Sequence, residues 1–441
     1  MAGAQTNSPG APTRAGATAA RSPWFWIPTV YFAEGMPNAL VATVSVLLYS
    51  DLGVSNAATA FFTSLLYLPW VIKPLWSPAV DILKTRRQWI WATQLLLGAM
   101  LAGVATMIPS PHFIQWTIVF FGLLAFCSAT HDIAADGFYI LATTEYQQSF
   151  FIGWRSIFFN VGKIAAQGGL IFIAGKLAKS TGNPALAWSS VFAAGAAIFC
   201  CLGAYHRFIL PSPVVDRPKA IPATENFLDG FLTTFAAFFQ KQKIMLPLLF
   251  ILLYRLGEAQ LVKIIPLFLH APPGSGGLGL DDEGISEVYG TSGVMAFMGG
   301  ALLGGSVAAR HGLKSWLWPM LLAIHLPDAV FIWLAYAQPE NLYVIGAGIA
   351  VEQFGYGFGF TALLLYMIYL ARGEHATAHY AICTGFMALG MMLPGLWSGQ
   401  LQQIIGYRHF FVWVILATIP SFMVAARIPL EAEFGKRRTQ R

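Results

Sequence analysis

The chain has 441 residues, of which 56% are hydrophobic and only 10% charged, against about 25% charged in an ordinary soluble domain. That balance excludes a large soluble α/β enzyme, in which short apolar strands would alternate with polar helix faces. The net charge of +6 would suit a polyanion partner only if the bases were clustered. They fall instead between long apolar runs, so nucleic acid is not an expected partner.

In chain order, residues 1–23 are rich in Ala, Thr, Ser, Gly and Pro and lack the apolar core of a signal peptide. They read as a disordered tail. Twelve apolar runs follow, at about 24–48, 57–79, 88–108, 115–141, 150–175, 187–209, 244–269, 286–309, 315–337, 342–371, 376–401 and 408–428. Each is about 20 residues or longer, enough to cross a bilayer core of roughly 30 Å as a helix. The fold class is an all-α polytopic membrane protein. The pattern divides into an N-terminal six-helix bundle (24–209), a linker (210–243), a C-terminal six-helix bundle (244–428) and a basic tail (429–441). The linker opens with Pro211 and Pro213, and 225–240 (ENFLDGFLTTFAAFFQ) reads as an amphipathic helix lying on the membrane surface. Lys176, Lys179 and Arg408 lie on one side, whereas Arg86, Arg87, Arg207, Arg372, Arg437 and most other loop bases lie on the other. The positive-inside rule places both termini in the cytoplasm.

Cys127, Cys200, Cys201 and Cys383 all sit in apolar runs without metal-ligand spacing and read as packing residues. There is no Walker-type loop and no HExxH pattern, and GSGGLG (274–279) lies in an outer loop rather than after a strand. No enzyme activity, cofactor or metal is expected.

Glu34, Asp132, Glu258 and Glu352 lie inside the first, fourth, seventh and tenth runs. An acid at membrane depth is costly and usually faces a polar cavity. In a carrier built from two repeats, corresponding helices of each half line that cavity. These four acids are the candidate proton-coupling groups. Arg255, three residues before Glu258 on the same helix face, is placed to pair with it and favour its charged form. Glu34 has no base in its own run and is the first choice for coupling. Lys73, Lys163 and Arg255 are candidates to hold an anionic substrate, and Lys163 is placed to reach Asp132. Trp76 and Tyr356, with Tyr67, Trp154 and Trp397, offer aromatic faces to sugar rings. Asp136 and Arg155 read as a structural latch near the cytoplasmic end. Asp328, after Pro327 in the peripheral ninth run, reads as structural.

The segments WSPAVDILKTRR (76–87) and GSVAARHGLKSW (305–316) follow the second and eighth runs. The second fits the loop pattern of major facilitators at Gly305, Arg310, Gly312 and Lys314, with Ala309 in place of the acid. The first keeps the acid, Asp81, and the bases Arg86 and Arg87. Both read as tight cytoplasmic turns, and Asp81, Arg86 and Arg310 are candidate gating residues.

VIKPLWSP (71–78) with Asp81, FCSATHDIAADG (126–137), YRLGEA (254–259) and VEQFGYGFGFTALLLYMIYLA (351–371) together resemble AmpG-like muropeptide permeases. These belong to the peptide–acetyl-CoA transporter group of the major facilitator superfamily. The resemblance is collinear from about 24 to 428. It implies a major facilitator fold of 12 transmembrane helices in two six-helix bundles, acting as a monomer. It also implies proton-driven import of anhydromuropeptides across the bacterial inner membrane during cell-wall recycling. The positions carried over are Lys73, Trp76, Asp81, Asp132, Asp136, Arg255, Glu258 and Glu352. The best-known members have fourteen spans where twelve are counted here. Glu34 stands where their first-span motif has a small polar residue, while Gly35 and Pro37 are kept. The group also holds siderophore and acetyl-CoA carriers. A same-fold carrier of another anionic solute, or a non-transporting receptor, is the alternative reading.

Overall fold

The computed structural model describes residues 21–54, 62–63, 65–218, 227–280 and 282–437. Most of the expected N-terminal tail and residues 438–441 of the basic tail lie outside them. Nine helices among the described residues are long and apolar enough to cross a membrane: Arg86–Met107, Phe113–Ala142, Glu145–Thr181, Pro184–Ile209, Glu287–His311, Leu313–Ala337, Leu342–Ala371, Ala376–Gly395 and Trp397–Ala425. Three further crossings are built from shorter consecutive pieces, at 27–51, 68–83 and 245–270. In chain order these are spans 1 to 12.

Local sequence explains where several of them begin and break. Thr85 and Thr144 open spans 3 and 5 with capping boxes completed by Gln88 and Gln147, satisfying amide donors that a helix start leaves free. Spans 11 and 12 run on through 376–425, except at Gly406, whose φ of 73° breaks the helix and suits a residue without a Cβ. Span 7 is interrupted at Arg255 (φ −110°, ψ 23°), between Met245–Leu253 and Leu256–His270.

In the N-terminal half, span 1 packs on span 5, and span 3 lies between spans 4 and 6. In the C-terminal half, span 10 packs on spans 8 and 9, and span 7 on the 376–425 helices. The halves meet where span 5 packs on span 8 and span 2 on span 11. Exchanging the halves converts one of these interfaces into the other, as an internal repeat requires. The 5–8 interface is backbone against backbone: a Cβ on Gly153 would lie 2.3 Å from Ala301 O, and one on Gly305 2.9 Å from Ser149 O. Small residues permit that approach in lipid, where no hydrophobic effect drives helices together. This packing involves Glu145–Ile164 and Gly293–His311, next to the end that carries most of the loop bases (the basic end). Farther along span 5, Gly169 and Gly175 face nothing within 4 Å.

The linker helix, Phe227–Phe239, is pinned to the basic end rather than held by the bilayer surface alone. Phe238 is buried with its ring 5.2 Å from that of His379. Lys241 Nζ donates to the carbonyls of Leu370 (2.5 Å) and Arg372 (3.2 Å), at the end of span 10 where carbonyls lack helical partners. Asp216, also in the linker, accepts from the amides of Arg86 and Arg87 at the start of span 3.

Candidate functional site: buried charges of the two halves

Asp132, about two-thirds of the way along span 4, accepts from Trp70 Nε1 (3.0 Å) and lies 3.9 Å from Lys73 Nζ. Trp70 and Lys73 are three residues apart, and the chain passes there from helix Leu68–Ile72 into a 3-10 turn at Lys73–Trp76. That turn carries Lys73 to Asp132, a place the sequence offered to Lys163. Lys163 makes no ion pair among the described residues. Trp76, half-buried, donates from Nε1 to Thr130 Oγ1 (3.2 Å).

One turn along span 4, Asp136 forms an ion pair with Arg155 of span 5. The Arg155 guanidinium lies 4.3 Å from the Tyr31 ring centroid and 4.4 Å from that of Tyr139, within cation–π range. Asp132 and Asp136 share a helix face yet answer to separate bases. Glu34 lies within electrostatic reach of both pairs, and its buried Oε2 has no hydrogen-bond partner among the described residues.

The C-terminal half is built differently. Arg255 donates to the Tyr356 hydroxyl and lies 5.2 and 4.7 Å from the Tyr356 and Phe360 ring centroids. It makes no ion pair with Glu258 among the described residues, contrary to the spacing. The reason is local: Arg255 precedes the first residue of helix Leu256–His270, so the three-residue rule for a shared helix face does not apply to it. Glu258, Glu352 and Asp328 instead converge, with one carboxylate oxygen from each lying within 4.8 Å of the others. The 3-10 turn Leu326–Asp328 interrupts span 9 at Pro327. Asp328 thereby joins the two glutamates, against its reading as a peripheral structural residue. Gln353 Nε2 donates to Glu352 Oε2 (3.0 Å).

At the basic end a third cluster ties the halves together. Arg86 reaches Asp81 (2.6 Å) and Asp216 (3.7 Å) and donates to Thr377 Oγ1 (3.0 Å) across the interface. Asp81 Oδ2 accepts from the Ala378 amide (3.3 Å), in the first turn of span 11, where the helix dipole favours negative charge. Arg372 pairs with Glu145 and with Glu431 (3.2 Å).

Residues 29–395 match the profile of the Major Facilitator Superfamily. The chain belongs to that superfamily. It is an integral membrane secondary transporter, not an enzyme. The anhydromuropeptide permease of Escherichia coli strain K12 is 26% identical over 401 residues, covering 89% of this chain and 77% of that protein. AmpG 4 of Rickettsia conorii is 24% identical over 400 residues, covering 89% of this chain and 92% of that one. Among solved structures, the E. coli fucose:proton symporter FucP superposes with a TM-score of 0.70 at 13% identity, over 92% of this chain and 98% of that one. That likeness concerns the fold.

Set in this major facilitator frame, Arg310 and Trp154 also lie apart from the clusters. Arg310 is exposed and makes no ion pair or hydrogen bond among the described residues, so it is no latch in this state. The C-terminal segment fills that place, with Leu313 N donating to Phe434 O and Arg437 N to Ala309 O, both at 3.0 Å. Ala309 offers Arg310 no acidic neighbour in the chain. Trp154 packs with Trp24, ring centroids 4.8 Å apart, in an aromatic cluster around Phe150 and Phe151. Sequence reasoning passed over Trp70, although its place three residues before Lys73 was a usable signal.

Proposed function

We propose that this transporter imports an anhydromuropeptide together with protons across the bacterial inner membrane, with both termini in the cytoplasm. The observation that carries the reading is the loose Lys73–Asp132 pair beside Trp70 and Trp76. A buried acid must be paired or protonated to stay in low dielectric. An incoming substrate carboxylate competes with Asp132 for Lys73. Once Lys73 turns to the substrate, Asp132 loses its cation and holds a proton more readily. Glu34, within reach of the same charges, is the second stop for that proton. Substrate anion and proton therefore favour each other's binding, which is the thermodynamic requirement for symport. Trp76 and Tyr356 offer ring faces to sugar, and Lys163 and Arg255 offer further positive charge to a multiply carboxylated ligand. The choice of cargo is supported by the collinear likeness to the E. coli permease. The latch at Arg86 and Asp81 fits a carrier at rest with its basic, cytoplasmic end shut.

The test is uptake of labelled anhydromuropeptide into oriented proteoliposomes, with and without an inward proton gradient. The expected result is gradient-stimulated uptake that Lys73→Ala abolishes and Glu34→Gln uncouples. No uptake by a folded, correctly oriented preparation overturns the cargo. Unchanged gradient-driven accumulation by Glu34→Gln removes Glu34 from the coupling route.

A further inference from the structure

We propose that Glu258, Asp328 and Glu352 form a binding site for a hard inorganic cation of the size of sodium or calcium, within the C-terminal half and apart from Lys73 and Asp132. The three side chains come from spans 7, 9 and 10 and are 2%, 1% and 1% exposed. Acids gathered in one place do not make a site, and the decisive group is Asp328. It comes from span 9, whereas the two glutamates come from spans 7 and 10. Neither of its oxygens has a hydrogen-bond partner among the described residues, yet one of them points at both glutamates. Glu258 Oε2 and Glu352 Oε1 are likewise without partners. Arg255, whose charge reaches Glu258, is engaged with Tyr356 and Phe360 and makes no ion pair with the three acids among the described residues.

Buried carboxylates in this number require neutralisation. A single cation would partner all three at once. Oxygens bound to a cation at about 2.3–2.6 Å stand at most about 4.6–5.2 Å apart, and the three oxygens, all within 4.8 Å of one another, have room for such an ion. All-oxygen donors without sulfur or imidazole suit hard ions. Two irregular segments frame the site: the 3-10 turn Leu326–Asp328 and the π-helical segment Ser286–Ser292. The latter carries Tyr289, within electrostatic reach of both glutamates. Broken helices of this kind recur where membrane carriers hold ions.

The test uses the purified full-length protein, washed with chelator, without substrate or proton gradient, so its failure leaves the proposed transport function standing. Equilibrium binding of radioactive sodium and of radioactive calcium is measured separately, at constant ionic strength held with choline chloride. The expected result is saturable binding of one of the two ions, about one per chain. Asp328→Asn and Glu352→Gln should each weaken it at least about tenfold, while Asp132→Asn leaves it unchanged. Absence of saturable binding of either ion to folded protein overturns the proposal and leaves the cluster a store of protons only. So does binding that both C-half variants retain. Should those variants fail to fold, carbodiimide modification of the wild-type protein is mapped by mass spectrometry. The ion must protect Glu258, Asp328 or Glu352, and unprotected labelling refutes the site.

Discussion

The two halves share a fold and differ in how they neutralise buried acid. In the N-terminal half, Asp132 has Lys73 and Trp70, Asp136 has Arg155, and Asp81 has Arg86. In the C-terminal half, Glu258, Asp328 and Glu352 meet one another, and the adjacent Arg255 faces aromatic rings. The first arrangement supplies cations from its own chain. The second gathers three acids with no ion pair to a base among the described residues, which is the basis for the proposed cation. An internal repeat thus preserves the helix frame while its halves surround their buried acids differently.

That contrast predicts mutational effects of opposite sign. Arg155→Ala strands Asp136 in a buried site, and breaking such a pair costs about 3–5 kcal/mol. The expected outcome is a large drop in thermal unfolding midpoint in detergent, mostly recovered when Asp136→Leu is added. In ion-free buffer, Glu352→Gln removes one of three mutually repelling groups and should leave the midpoint unchanged or raise it. A drop as large as that of Arg155→Ala would break the comparison, because it would mean that Glu352 has a cationic partner beyond its hydrogen bond from Gln353.

The two loop repeats sharpen the comparison at the basic end. Asp81 bonds to Arg86 and to the start of span 11, whereas Arg310, its counterpart region's base, is exposed and unpaired among the described residues. Asp81→Ala should weaken the closed state by about 1.5–3 kcal/mol, the range for hydrogen bonds to a charged group. The readout is thiol labelling of Ala378→Cys, a buried position, in a background without the four native cysteines. Asp81→Ala should speed labelling by tenfold or more, and Arg310→Ala should leave it unchanged.

Gly153→Leu probes the same closed state through packing. Its Cβ alone would sit 2.3 Å from Ala301 O, and overpacking costs about 1–3 kcal/mol. The cost falls on the closed interface only, so labelling of Ala378→Cys should rise while the unfolding midpoint changes little. Unchanged labelling would show that spans 5 and 8 part without consequence for the latch.

The frame of this carrier was legible in the sequence because its signals are local. Apolar length marks the crossings, and charges inside apolar runs mark spans 1, 4, 7 and 10. Partner choice was not legible. Lys73 rather than Lys163 reaches Asp132 because span 2 tightens to a 3-10 turn at Lys73–Trp76. Arg255 makes no ion pair with Glu258, although its charge still reaches that carboxylate, because span 7 breaks at Arg255 and residue spacing assumes an unbroken helix. Asp328 joins the glutamates only through the packing of span 9 on span 10, which no contiguous motif encodes.

The smallest expected effect tests whether burial, rather than charge alone, separates these sites. Glu145 and Arg372 also pair across the halves, but their side chains are 40% and 31% exposed. Water screens such a pair, and exposed pairs contribute about 0–1 kcal/mol. Arg372 also keeps Glu431 and the Phe434 ring, 4.3 Å away, when Glu145 is neutralised. Glu145→Gln should therefore shift Ala378→Cys labelling by less than about fivefold, and the shift should shrink as salt shortens the Debye length. An effect equal to that of Asp81→Ala, and insensitive to salt, would mean that the rim of the basic end, and not its buried Arg86 cluster, holds the halves shut.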